Sequence, residues 1–439
     1  MLLNLFYVWI ALMPFLSISP WQVIVAPPFY YGFVYYGILF ILSLLTLWNL
    51  WKGKLASPFS RKDLLVLGYV LVCILTLVLN WNIPGAENPQ NEAGFTRLHI
   101  YNVFLIIYLI ANISSVFVIR CIVISKEYLN KILQIITVSA ILACLWGIVM
   151  VWLHVLKVIP DEMLALGTYF PRLMGTATEP QVFGNYLILP LFIALAFLLK
   201  NPSIKTCITV FILATALIMT YSAGAWIGAF VAAVTFLAIN FRYFSNMIWR
   251  KLIIILIALI LFISMLALIY PKYTNSLVIS KFFFWNISKE ITEYKVTKDY
   301  PDDKLHRTWM AQAAVNMFMA KPLLGVGTGN YGYLFNKYKP DYVPPFDFLV
   351  KTHNAYLEIL AETGSIGFAL FSLWLLLNIL PNLKKALLTD KQDARLMLSG
   401  SICAFIGILA HGSALGIFAH NHTWIALGLI ITGDNIFEA

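Results

Sequence analysis

The 439-residue chain alternates long apolar runs with short polar connections, and the length of the runs decides the class of fold. About 20 consecutive apolar residues carry a helix across the hydrocarbon core of a bilayer. Such runs lie near 3–19, 31–51, 64–80, 98–119, 129–155, 181–199, 206–221, 224–240, 252–270, 364–383, 396–411 and 420–433, which predicts twelve transmembrane helices. The first run follows no basic segment and ends in no small-residue cleavage site, so it is expected to be a helix, not a signal peptide. One long connection, 271–352, interrupts the rhythm. The expected organisation is helices one to nine over 1–270, that connection over 271–352, and helices ten to twelve over 353–439.

Composition sharpens the picture. Hydrophobic residues make up 61% of the chain and charged residues 11%, against about 45–50% and 25% in a soluble domain. A soluble interior is too small to hide that much apolar surface. The fold class is therefore an all-α polytopic membrane protein, and disorder, a coiled coil and a disulfide scaffold are excluded. Cys73, Cys121, Cys144, Cys207 and Cys403 form no CxxC pair, so neither a disulfide framework nor a zinc site is indicated.

The net charge is +10, and its placement predicts the orientation. With the N-terminus in the cytoplasm, the cytoplasmic connections hold 16 basic residues, from Lys52 to Arg395, and the short outer ones only Arg97, Lys157 and Arg172. Basic residues in short loops stay inside, so this split puts both termini in the cytoplasm. The other 11 basic residues lie in 271–352, which is then outside; long loops translocate whatever their charge. Fourteen of the 20 carboxylates fall on the outer side, among them Glu179, Glu358 and Glu362. Chemistry is expected on that face. No GxxxxGK loop is present to cradle a nucleotide's phosphates.

A structureless loop of 82 residues is uncommon, so 271–352 is expected to carry elements of its own. Asp302 or Asp303 caps a helix running to about Ala320, with Leu305, Trp309, Ala313, Met317 and Ala320 as its apolar stripe and Arg307 on the opposite face. Lys321-Pro322 ends it, and Gly325-Val-Gly327-Thr-Gly329-Asn330 follows as a flexible turn, with no βαβ unit to make it a dinucleotide site. Sixteen aromatic residues, including Phe282, Phe283, Phe284, Trp285, Tyr331, Tyr333 and Tyr338, suit an interfacial belt or sugar stacking. The loop's net charge of +4 favours anionic partners, either lipid headgroups or a diphosphate.

The chemistry-bearing stretch is His353-Asn354 with Leu357, Glu358, Glu362, Gly364 and Gly367, where the loop re-enters the membrane. Ionisable side chains at such a border are functional candidates by default, and histidine suits proton transfer near neutral pH. His411, His420 and His422 cluster near the last outer turn, but Ala419-His420-Asn421-His422 lacks helical metal spacing, so a structural or substrate-lining role is expected there.

The pattern H-N-x-x-L-x-x-x-x-E-x-G-x-x-G after a long outer loop resembles the O-antigen ligase and O-antigen polymerase family. The segments from Arg307 and from Lys321 to Tyr331, and Arg172-Leu-Met-Gly175 through Glu179-Pro180, resemble the family's other motifs. The resemblance implies a GT-C-like membrane enzyme of the bacterial inner membrane with its site on the periplasmic face. It further implies an inverting, cofactor-free and metal-free glycosyltransferase working on surface polysaccharide. The donor would be an undecaprenyl-diphosphate-linked glycan, the acceptor a glycan or lipid A-core, and no nucleic acid would be involved. Carried onto this chain, His353 is the general base, and Arg307, Arg172, Glu179 and Glu362 bind substrate. Many ligases place an arginine in a short outer Thr-x-Ser turn; here that turn is Thr220-Tyr221-Ser222-Ala223-Gly224. Two outer arginines in separate loops suit two carrier diphosphates, so polymerase is the first expectation and ligase the second. A lipid-glycan flippase is a further alternative, against which no clear internal repeat is seen. The shape, division and sporulation polymerases are another, but their outer-loop acid has no clear counterpart.

Overall fold

A computed structural model describes residues 2–15, 29–81, 98–156, 158, 166–167, 170–177, 179–244, 246–269, 303–343, 345–346, 349–389 and 392–433. Arg97, Lys157, Phe282, Phe283, Phe284, Trp285 and Asp302 lie outside these residues. The described chain runs α1 (Leu2–Ala11), α2 (Phe29–Trp51), α3 (Leu64–Leu79), α4 (Leu98–Ile122) and α5 (Lys126–Val155). A two-residue β1 (Leu166–Gly167) pairs antiparallel with β2 (Phe170–Pro171). Then follow α6 (Pro180–Lys200), α7 (Ile204–Met219), α8 (Ala223–Asn240), α9 (Asn246–Ile269), α10 (Asp303–Ala320), α11 (Tyr331–Tyr338), α12 (Ala355–Leu388), α13 (Gln392–His411) and α14 (Asn421–Ile431).

Helices overlie the twelve predicted spans, yet among the described residues seven are long and apolar enough to cross a membrane. Three of the five helices that fall short are short elements. Helices α1, α7 and α14 have 10, 16 and 11 residues, and at a rise of about 1.5 Å per residue 11 residues cover roughly half of the hydrocarbon core. Seven apolar helices of crossing length make this an integral membrane protein.

Helix α6 sits deepest, with 16 of its 21 residues buried, packed against α7, α8 and α13. Close approach of α8 and α13 depends on glycine. A Cβ on Gly228 or on Gly407 would lie 2.5 Å from the other's carbonyl oxygen, the close backbone contact that small residues permit between membrane helices.

The bundle has two chemically distinct ends. At one, Arg120 pairs with Asp63 at 3.0 Å, Trp374 Nε1 donates to Asp63 at 3.2 Å, and Lys200 meets Asp393 at 3.2 Å. Arg242 there donates to the Thr389 carbonyl, and Arg395 to those of Ile239 and Leu387. The other end gathers the start of α6, the α7–α8 turn, the start of α12, the end of α13 and the helices α10 and α11.

Candidate active site

The site end is organised by a break in α12. Gly364 has φ +64°, which divides α12 into a short first part and a long apolar second part. The backbone freed at the break pairs with the segment after α10. Val326 and Gly327 N–H groups donate to the Ala361 and Glu362 carbonyls at 2.9 and 3.0 Å, and Ser365 N–H donates to the Pro322 carbonyl at 2.8 Å. The Glu362 carboxylate completes the join by accepting from Gly329 N–H at 2.8 Å and Tyr331 N–H at 3.1 Å. Gly325–Asn330 is therefore not the flexible turn expected from its glycines. All six residues are buried, with Thr328 bonded to Thr76 of α3 and Asn330 to Asn102 of α4.

Helix α10 covers the stretch predicted from its stripe. Trp309, Ala313 and Met317 are buried, while Arg307 is exposed. Tyr331 donates its hydroxyl to the Met310 carbonyl at 2.7 Å, and burial pushes that hydroxyl's pKa well up, so it stays a donor.

His353 precedes α12 in a left-handed conformation, φ +48°. Asn354 caps the helix by accepting from Tyr356 and Leu357 N–H groups at 3.1 and 3.0 Å, as an N-cap asparagine does. The same residue donates to the Ser413 carbonyl, and Ala355 N–H donates to the Gly412 carbonyl at 2.9 Å. Thr352 donates to Glu358 Oε2 at 2.8 Å. His353 is thus carried by a hairpin pinned on one side to its own helix and on the other to the end of α13.

Arg172 leaves β2 and lies along the α7–α8 turn. Its Nε donates to the Thr220 carbonyl at 2.9 Å and its Nη2 to the Tyr221 carbonyl at 3.2 Å. These carbonyls close α7, where the helix dipole and its orphan acceptors favour a cation. Tyr221 has φ +49°. It and His353 are the only non-glycine residues with positive φ among those described, and such strain tends to collect at functional sites.

Arg307 reaches the first turn of α6, and the turn that holds Arg172 packs against the next one. Arg307 Nη2 donates to Gln181 Oε1 at 3.3 Å, and Gln181 donates to Glu179 Oε2. One turn on, Gly184 packs against the α7–α8 turn, where a Cβ would lie 3.0 Å from Thr220 Oγ1. Asn185 next to it bridges two histidines, 2.9 Å from His411 Nδ1 and 2.7 Å from His422 Nε2. His420 stacks on His422 with ring centroids 5.6 Å apart. Among the described residues no group of three His, Cys, Asp or Glu side chains could hold a metal ion.

Residues 208–372 match the family model described as O-antigen ligase. That stretch, less than half of the chain, is similar to an O-antigen ligase domain. The match begins in α7 and ends in α12, so it takes in the 220–224 turn, Arg307, the buried glycine turn and His353, while Arg172 and Glu179 precede it. Members of the O-antigen ligase family are glycosyltransferase-like ligases and polymerases of lipid-linked glycans. No curated protein matches the chain.

Gln181 and Asn185 escaped the sequence reading. Both are polar positions in an otherwise apolar run. That is itself a signal, because polar groups within a membrane span are costly to bury and tend to serve a purpose.

Proposed function

We propose that the protein is an inverting, metal-independent glycosyltransferase that moves a glycan from an undecaprenyl-diphosphate carrier to a sugar hydroxyl, as a surface-polysaccharide polymerase. One observation carries this reading: the turn held by Arg172 packs against Gly184, Arg307 bonds to Gln181, and the loop bearing His353 is bonded to the end of α13, whose His411 bonds to Asn185, so all three are tied to the first two turns of α6. His353 takes the acceptor's hydroxyl proton while that oxygen attacks the anomeric carbon from the side opposite the diphosphate. The bond from that carbon to the phosphate oxygen breaks, the configuration inverts, and undecaprenyl diphosphate leaves with the bonding pair. Arg307 and Arg172 hold its oxygens, since guanidinium forks match phosphate geometry and fixed positive charge stabilises the charge that develops. Glu179 positions Arg307 through Gln181. Glu362 serves substrate binding indirectly, by fixing the turn that joins α10 to α12. The site faces the periplasm of the bacterial inner membrane, with both termini in the cytoplasm, as the split of basic residues supports.

A second reading, ligation to lipid A-core, is favoured by the position of Arg172. Its guanidinium lies on the 220–222 turn, where many ligases of the family place an arginine of their own. Products separate the two. A polymerase turns the purified carrier-linked glycan into a ladder without lipid A-core, whereas a ligase needs lipid A-core and moves the glycan to it. Movement of the carrier across a vesicle bilayer with no covalent product would identify a flippase and overturn both.

A further inference from the structure

Asn185 fixes the roles of the two histidines it bridges. An amide nitrogen can only donate, so His411 Nδ1, 2.9 Å away, is unprotonated and the ring proton sits on Nε2. An amide oxygen can only accept, so His422 Nε2, 2.7 Å away, carries a proton. Asn185, His411 and His422 are all buried, at 0%, 1% and 3% exposure, so little water competes for these bonds. His411 cannot gain a second proton without losing Asn185, which makes it a poor base and a fixed donor.

The direction of that donor is set by a glycine. A Cβ on Gly224 would lie 2.5 Å from His411 Cδ2 and 2.6 Å from Nε2, so the Nε2 edge lies against the first turn of α8, beside the turn held by Arg172. Among the described residues Nε2 has no hydrogen-bond partner. Arg307 is an electrostatic neighbour of the same ring. An unpartnered N–H on a buried ring is open to a ligand acceptor, and this one lies against Gly224, in the turn whose carbonyls hold Arg172.

We propose that His411 is a binding residue of the site, a neutral donor whose Nε2–H meets a phosphate oxygen of the carrier diphosphate. This rests on the glycosyl-transfer reading above. The test is binding of undecaprenyl diphosphate to the purified full-length protein in detergent, with turnover of the carrier-linked glycan measured in parallel. His411→Phe keeps a ring and loses the donor, and should weaken binding about 10–100-fold, the usual effect of losing a hydrogen bond to a charged group. His411→Gln offers an amide N–H near the Nε2 position and should recover most of the affinity. Asn185→Asp is decisive because it leaves His411 in place. A carboxylate at 185 accepts from Nδ1–H, moves the proton off Nε2 and turns that atom into an acceptor, so binding should fall as in His411→Phe. Should His411→Phe fail to fold, the Asn185→Asp and His411→Gln pair decides alone. Wild-type affinity in Asn185→Asp, or no recovery in His411→Gln, overturns the assignment while wild-type binding and turnover leave the transfer reading standing. If the wild-type protein neither binds the carrier nor turns over its glycan, the transfer reading fails and takes this assignment with it.

Discussion

His353 combines a reactive side chain with a costly backbone. A left-handed φ of +48° costs a residue with a Cβ about 1–2 kcal/mol, and the hairpin recovers this through the Asn354 cap and the bonds to Gly412 and Ser413. His353→Gly should therefore melt above His353→Ala, by about 1 kcal/mol of stability, with both inactive. Equal melting in detergent would mean the strain is not borne at this residue. Arg307 reaches Gln181 from an exposed position. Arg307→Lys keeps the charge but not the fork, so carrier binding should drop despite the unchanged net charge; full binding would place the phosphate contact elsewhere. His353, Arg307 and Arg172 were legible in the sequence as candidates, because motifs mark them. Gln181 and Asn185 were not, since what makes them part of the site is the partner each meets from a distant segment.

The α12 break is the element on which the site is mounted. The apolar run predicts a span starting at 364, and the structure breaks the helix at that residue, so the hydrophobic pattern held the boundary. It did not hold the reason. A Cβ on Gly364 would lie 2.3–2.6 Å from the Leu323 carbonyl and Leu324 nitrogen, backbone atoms that cannot swing aside. Gly364→Ala should cost about 2–4 kcal/mol from the φ and the clash together. Glu362→Gln should cost about 1–3 kcal/mol, because an amide leaves one of the Gly329 and Tyr331 N–H groups without an acceptor. Melting curves unchanged in either variant would refute this account of the joint. The glycine turn was misread as flexible for a related cause: its partners, Thr76, Asn102 and Glu362, lie far away in sequence and only the fold brings them together.

At the scale of the molecule, the chain is an apolar bundle with ion pairs at one end and a polar, glycine-shaped site at the other. Helical character and the segregation of charge follow from composition and periodicity alone. The number of crossings does not: among the described residues seven helices are long and apolar enough, while α1, α7 and α14 have 10, 16 and 11 residues. The O-antigen ligase match and the convergence on α6 give this architecture its proposed task, glycan transfer with His353 as base. The most direct measurement compares wild-type protein with His353→Ala, both purified and equally folded, for release of undecaprenyl diphosphate from a carrier-linked glycan in the presence of acceptor. Loss of the base should slow transfer by about 10²–10⁴ with carrier binding retained. A variant that keeps more than half of the wild-type turnover would remove His353 from the mechanism and contradict the account.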